Sequence, residues 1–549
     1  MIKKFFASAL FMGMGAICLM AQPRGISQSQ KPKLVVGVVI DQMRWDYLYR
    51  FERLYSNDGF KRLLTQGFSF ENTLIPYTPT YTAVGHTCVY TGSIPAITGI
   101  VGNSWFDKSI DDNMYCTSDS TVEGVGSKTD AGKMSPANMW TTTVTDELRL
   151  SNNFKSKVIG ISLKDRGAIL PAGHAANAAY WYDDSVGHWI SSTYYFANNQ
   201  LPQWVKDFNA TDPVSRYMSQ DWDLLKNRSL YIQADNDDNA FEGNISGEKN
   251  PAFPHRLSLI SNKKKRGAIR TTPHGTSLSF EFAKAALINE QMGKGMYTDF
   301  LALSISSTDY IGHTFGPNSL EIEDAYARQD KDLASFLQFL DLSVGKGNYL
   351  FFLTADHAAA HNPSFLQSHK IPGGYFDDDS LKKEITAAVE TRFAIKKAIR
   401  KVYNYQVYLN DDAIANSGKD ADDVKEFIIQ KLMEYPYILH AVELKKLELA
   451  TINATQKRMM INGYNTKRSG DIQFTVKPQY MDHGKTGTTH GAWNPYDAHI
   501  PLLWYGWNIK PGETNREVYM TDIAPTVAAL LDIQMPSGNV GKALVELTK

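Results

Sequence analysis

Only three of the 549 residues are cysteine, at positions 18, 88 and 116, and no two of them form a C-x-x-C pair. Zinc held by cysteine clusters is thereby excluded, and any metal must be held by Asp and His. Neither sign of charge is in excess, since 57 Lys and Arg against 58 Asp and Glu leave a formal net charge of −1. Nucleic-acid binding usually leaves a basic footprint, so this balance gives it no support. The one notable basic run, Lys263-Lys264-Lys265-Arg266, stands downstream of an Asn/Asp-rich stretch at 235–239 and reads as a solvated loop. Beyond Met20 no stretch is long and apolar enough to span a bilayer. Internal repeats and domain-marking linkers are also missing.

The N-terminus carries the one long apolar run. Lys3 and Lys4 precede Phe5 to Met20, and Ala21 follows as a small residue before Gln22. That layout predicts a signal peptide over residues 1–21, cleaved after Ala21, and a periplasmic or secreted mature protein. Cys18 invites a lipid anchor, but Ile17 before it fits lipid attachment poorly. Cys88 and Cys116 then remain, either paired in an oxidising compartment or buried as thiols. Sequence does not choose between these.

Aromatic residues make up 12% of the chain, ample for a large core. Leu34 to Ile40 (LVVGVVI), Phe300 to Ser304 (FLALS) and Tyr349 to Leu353 (YLFFL) are continuous apolar runs of the kind buried on both faces of a sheet. Each is followed closely by an acid: Asp41, Asp309 and Asp356. Ile500 to Tyr505 (IPLLWY) reads as an edge or flanking strand. Helical patterns lie at Leu320 to Leu342 and at Met520 to Leu531, the latter starting near Thr521 or Asp522. The expected fold is α/β, a mostly parallel central sheet with helices on both faces. Residues 22–549 are expected to form one domain, with capping insertions at about 181–272 and 395–468.

In such sheets ligands sit beyond the carboxyl ends of the strands. Desolvated carboxylates are unfavourable there without partners, so three of them converging imply a cation. The candidate ligands are Asp41, Asp309, His313, Asp356, His357 and His490. Asp309 and His313 stand four apart, one helical turn or a tight loop. Asp356 and His357 are adjacent at a strand end. Imidazole mixed with carboxylate suits zinc, while magnesium or calcium favours an all-oxygen shell. Six ligands make one crowded site or two open ones, and two sites about 4 Å apart suit phosphoryl transfer.

A nucleophile is available in TPTYTAVGH, residues 78–86, before an apolar stretch that can open a helix. A hydroxyl at that point feels the positive end of the helix dipole. Thr78, Thr80 and Thr82 compete for the role, and each could instead cap the helix.

The segments VVIDQMRWDYL, TPTYTAVGHTCVYTGSIPAITGIVGN, SLKDRGAILPAGH, STDYIGHTFGPNS, TADHAA and THGAWNPYDAHIPLLWYG together resemble the alkaline phosphatase superfamily. They closely resemble its phosphate-irrepressible (PafA-type) bacterial alkaline phosphatases, across nearly the whole mature chain. The resemblance implies that Thr82 is the nucleophile of a phosphate monoester hydrolase with two zinc ions (Zn2+). One zinc would be held by Asp41, Asp356 and His357 with Thr82 bound to it, the other by Asp309, His313 and His490. Asn103, Lys164 and Arg166 match the residues that meet the non-bridging phosphoryl oxygens, and both cations favour a dianion. The resemblance also leans towards a monomer, with small phosphate monoesters as substrates. The main alternative is a nucleotide pyrophosphatase/phosphodiesterase, against which Lys164 and Arg166 discriminate. An arylsulfatase lacks support because the C/S-x-P-x-R pattern is missing, and intact ligands argue against a non-catalytic phosphate or glycan binder.

Overall fold

A computed structural model describes residues 31–548. The signal peptide expected over residues 1–21 lies outside the described residues. The apolar runs become the middle of a ten-stranded sheet. In chain order its strands are β1 (Leu34–Ile40), β2 (Phe68–Phe70), β3 (Gly124–Val125), β4 (Val158–Ser162), β5 (Ala178–Asp183), β6 (His188–Ser192), β7 (Asp299–Ile305), β8 (Tyr349–Thr354), β9 (Leu502–Gly506) and β10 (Gly512–Thr514). Their order across the sheet is β10-β2-β9-β8-β1-β7-β4-β5-β6-β3. The five from β8 to β5 pair in parallel, Leu34 standing between Asp299 and Tyr349. Every residue of β1, β7 and β8 is buried, which is why they read as unbroken apolar runs rather than alternating ones.

Of the two roles expected for β9, edge or flanking strand, the structure shows the second: it borders the parallel set. It lies inside the sheet between β2 and β8, antiparallel to both, with Phe352 opposite Trp504. Its antiparallel sense is fixed by pairing with β8 and β2, far away in sequence, and composition does not carry that distinction. Lys263 to Arg266 also differ from the loop expected, forming part of a largely exposed helix, Asn262–Ala268. The helix expected over Met520–Leu531 starts with a 3-10 turn, Met520–Asp522, and continues as Ile523–Leu531. Cys88 and Cys116 are both buried and free.

The helices of the main body include α1 (Thr82–Thr91), α2 (Asp165–Ala172), α3 (Pro273–Asn289), α4 (Ser307–Phe315) and α5 (Leu320–Leu340). All of α1 is buried, so its backbone approaches the sheet closely. Gly85 permits this, because a Cβ there would collide with the carbonyl oxygen of Asp356. Residues 181–272 begin within β5, add β6 to the sheet and then run through short helices. Residues 374–476 carry a separate four-stranded sheet backed by helices Asp378–Phe393 and Ala421–Met433, with its own core around Val389, Ile428 and Phe474. Tyr81, next to Thr82, packs on that second core. Among the described residues no helix is long and apolar enough to cross a membrane.

Behind α4, the buried His255 ring bridges Glu248 (2.9 Å) and Glu321 (3.2 Å) and meets the edge of Phe315, the last residue of α4. Burial alone would lower the His255 pKa, but the hydrogen bonds its ring makes to the two carboxylates raise it to about 9. A folded pKa above the unfolded value of about 6.5 stabilises the fold fully below that value, and the gain is lost as pH rises through 9. Glu242, pushed up to about 9 by burial and by Glu321, acts in the same direction.

Two outcomes are expected. Unfolding free energy, followed by denaturant titration, should fall by about 3 kcal/mol between pH 6.5 and 9 from His255 alone, with Glu242 steepening the fall, and His255→Gln should lessen that slope. Gly85→Ala should cost about 1–3 kcal/mol and depress turnover as well, since the helix must move off Asp356; unchanged melting and turnover would contradict the packing argument.

Candidate active site

The parallel strands deliver their following residues to one edge. Asp41 comes directly after β1, Asp356 just after β8, and Lys164 just after β4, at the N-terminus of α2. Helix α4, which follows β7, carries Asp309 and His313 one turn apart on one face, so the D-x-x-x-H spacing is helical. Two compact groups result: Asp41, Asp356 and His357, and Asp309, His313 and His490, the candidate ligand atoms in each lying within 4.8 Å of one another. His357 Nε2 is 3.5 Å from Asp41 Oδ1 and 3.4 Å from Asp356 Oδ2. His313 Nε2 and His490 Nε2 lie 3.1 Å and 3.8 Å from Asp309 Oδ1. The groups adjoin, for the His357 and His490 rings stack at 3.4 Å between centroids.

Each imidazole is oriented from behind. His357 Nδ1 meets the Ala358 carbonyl (3.0 Å), His313 Nδ1 that of Thr488 (2.7 Å) and His490 Nδ1 that of Thr80 (2.6 Å). A ring whose Nδ1–H is engaged with a carbonyl presents the lone pair of Nε2, the arrangement of a metal-binding histidine. Asp41 Oδ1 and Asp356 Oδ2 are buried and accept no hydrogen bond. Orphaned carboxylate oxygens at full burial, facing Nε2 lone pairs, are donors that fit a divalent ion.

The electrostatics carry the same message. Burial, with Asp309 and Asp356 nearby, pushes Asp41 well above the usual carboxylate range. Burial would raise Asp309 as well, but His313 and Lys164 hold it well below. His490 is driven well below its ordinary value by burial and by His357. Lys164 Nζ reaches both groups at once, 2.6 Å from Asp41 Oδ2 and 2.5 Å from Asp309 Oδ2. It also lies 5.1 Å from the Tyr310 ring centroid, as does the Arg270 guanidinium.

Of the three threonines, Thr82 is the one that opens α1, and its Oγ1 lies 3.4 Å from His357 Nε2. Thr80 Oγ1 is spent on the Ala492 carbonyl (3.0 Å). Asn103 Oδ1 accepts from the Ala83 amide (2.9 Å), which leaves its Nδ2 donors for another partner. All ten candidate residues thus gather at this edge, with Arg166 on the first turn of α2.

Several contributors were missed by sequence reasoning. Gln42, at φ 64°, donates its amide to Asp356 Oδ1 (3.2 Å) and its Nε2 to Asp309 Oδ1 (2.7 Å). A left-handed non-glycine residue beside a ligand is a strained position of the kind that collects at functional sites. Gly312 makes room for it, since a Cβ there would collide with Gln42 Oε1. His86 joins the Thr82 carbonyl (2.9 Å) to Ser304 Oγ (2.8 Å) and stands 3.3 Å from Asp356 Oδ2. The only sequence signals were adjacency to Asp41 and placement one helical turn beyond Thr82.

Comparison with known proteins gives one family model, type I phosphodiesterase/nucleotide pyrophosphatase, matching residues 35–497. Alkaline phosphatase PhoV of Synechococcus elongatus is 50% identical over 519 residues, 94% of this chain and 93% of that protein. Alkaline phosphatase PafA of Elizabethkingia meningoseptica is 49% identical over 519 residues, 94% of each chain. A crystal structure of wild-type PafA superposes with a TM-score of 0.92 at 48% identity, covering 94% of this chain and 99% of that one. A protein of Myroides odoratus named calcium-transporting ATPase is 49% identical over 521 residues, 94% of this chain and 95% of that protein.

Removing bound metal leaves the orphaned carboxylates without compensation. Dialysis against a chelator should therefore lower the melting temperature, and adding back a divalent metal should restore it. A melting temperature indifferent to the chelator would contradict metal binding by these groups.

Proposed function

The chain belongs to the type I phosphodiesterase/nucleotide pyrophosphatase family of the alkaline phosphatase superfamily, and from that membership we propose that it is an alkaline phosphatase, a two-zinc phosphate monoester hydrolase with Thr82 as nucleophile. The observation that carries this reading is Thr82 Oγ1, 3.4 Å from His357 Nε2 at the seam of two buried Asp/His groups. In the proposal, Asp41, Asp356 and His357, together with Thr82, hold one zinc, and Asp309, His313 and His490 the other. The mixed nitrogen and oxygen donors favour zinc over magnesium or calcium. When bound, the pair supplies Lewis-acid stabilisation to the attacking and leaving oxygens and lowers the pKa of oxygens they bind.

The chain's own residues do the rest. The Thr82 oxygen attacks phosphorus as the P–O bond to the leaving group breaks, giving a phosphothreonine. Water then attacks that phosphorus, the Thr82–phosphorus bond breaks, and inorganic phosphate departs with configuration retained overall. Lys164, Arg166 and the free Nδ2 of Asn103 receive the non-bridging oxygens, so catalysis is positioning and charge stabilisation. Thr82 sits where the α1 dipole adds positive potential.

A second reading is favoured by the description of the matched family, a phosphodiesterase acting at the same site. Against it stand two cations beside the phosphoryl position. A monoester dianion engages both, whereas a diester carries less charge and needs room for a second arm. We further propose that residues 1–21 direct export, that the remainder acts as one catalytic unit capped by its insertions, and that it works as a monomer.

Thr82→Ala should lose most turnover, at least about a hundredfold, while elemental analysis still finds zinc. Comparing hydrolysis of an aryl phosphate with that of its methyl diester should favour the monoester. Near-normal turnover in the variant would remove Thr82 from its role, and a ratio favouring the diester would reverse the substrate class.

A further inference from the structure

We infer that Tyr115 is a positioning residue for Arg166, holding the guanidinium at the phosphoryl site through its hydroxyl; this rests on the role proposed above for Arg166. The hairpin formed by Ser104–Asp107 and Asp112–Tyr115 pairs Ser104 with Tyr115. At its base the Cys116 amide donates to the Asn103 carbonyl (3.0 Å), so Asn103 and Tyr115 are fixed relative to one another. From there the Tyr115 hydroxyl donates to Asp165 Oδ1 (2.6 Å) and accepts from Arg166 Nη1 (3.1 Å). Asp165 is itself held by the Arg166 amide (2.6 Å) and by Thr117 Oγ1 (3.3 Å).

The direct approach of Arg166 Nη1 to Asp165 Oδ1 is 4.0 Å, too long for a hydrogen bond. The phenol oxygen is therefore the hydrogen-bonded link between carboxylate and guanidinium. Arg166 Nε is buried and has no partner, and no other side-chain hydrogen bond to the guanidinium is evident among the described residues. A long flexible side chain near a like charge, Lys164, would otherwise be free to swing away. The hairpin thus sets the distance between two of the three groups that meet the phosphoryl oxygens. Burial and Asp165 keep the phenol protonated, so it remains a donor to the carboxylate.

Tyr115→Phe removes one oxygen and keeps the ring, and a double-mutant cycle with Arg166→Ala tests whether Tyr115 acts through Arg166. On intact zinc-loaded protein, Tyr115→Phe is expected to lower kcat/KM for an aryl phosphate about tenfold, the loss of one hydrogen bond to a charged group. The methyl diester should suffer less, zinc content should stay unchanged, and inorganic phosphate should inhibit more weakly. In the Arg166→Ala background the same change should have no further effect. An equal loss in both backgrounds, or no loss in either, would overturn the inference while leaving the hydrolase reading intact. If Arg166→Ala alone kept the wild-type monoester rate, the role of Arg166 would fall and this inference with it. Asp165→Asn, which loosens the same hydroxyl while keeping the Tyr115 ring, should shift the monoester-to-diester ratio in the same direction even if Tyr115→Phe folds poorly.

Discussion

Three carboxylates buried side by side at the end of a sheet are the constraint to which the rest of this molecule answers. Asp41 and Asp356 are fully buried and Asp309 nearly so, and charge at that depth is costly unless an opposite charge is held among them. Parallel strand pairing places them there: β1, β7 and β8 are neighbours in register, so the residues that follow them emerge at one edge. The same edge receives Lys164 from β4. An ammonium that touches Asp41 and Asp309 together shows how strongly this volume draws positive charge. A fold that concentrates negative charge so deeply is built to hold cations.

Holding them usefully requires direction as well as charge, and here the loops do more than the sheet. Three imidazoles each engage a backbone carbonyl through Nδ1, so their Nε2 atoms are aimed before any ion arrives. Gln42 ties one ligand group to the other through Asp356 and Asp309, at the expense of a left-handed backbone. His86 ties the first turn of α1 to β7 through Ser304. These contacts link elements far apart in sequence, and movement of any one is felt by both groups. Pre-organisation of this kind lets a site stabilise developing charge without reorganising during reaction.

Much of this was legible in the sequence, and the boundary of legibility is physical. LVVGVVI, FLALS and YLFFL announce strands buried on both faces because such strands cannot tolerate polar alternation, and each leads to its acid. The Asp309–His313 spacing marks one helical face. What stayed hidden depends on long-range pairing. Strand β9 is as apolar as an edge strand can be, and nothing local states that it runs antiparallel inside the sheet. The three threonines of TPTYT look alike locally, and only distant contacts separate them: Thr82 opens α1 beside His357, while Thr80 Oγ1 is engaged with the Ala492 carbonyl. Gln42, His86 and Tyr115 are ordinary residue types whose importance lies wholly in which distant atoms they meet.

Charge balance at the phosphoryl position is where fold and substrate class meet. The superfamily scaffold alone does not choose between monoester and diester, since metal ligands and a threonine serve either. The choice falls to whatever surrounds the oxygens that do not react. In the proposed site these would be an amide whose acceptor is already engaged, an ammonium shared with two carboxylates, and a guanidinium held by a phenol. In the proposed enzyme, metal charge on Asp41 and Asp309 would release the Lys164 ammonium that now lies between them, leaving it for an oxygen dianion. On that proposal the same lysine would link metal loading to recognition and favour a substrate with two negative charges.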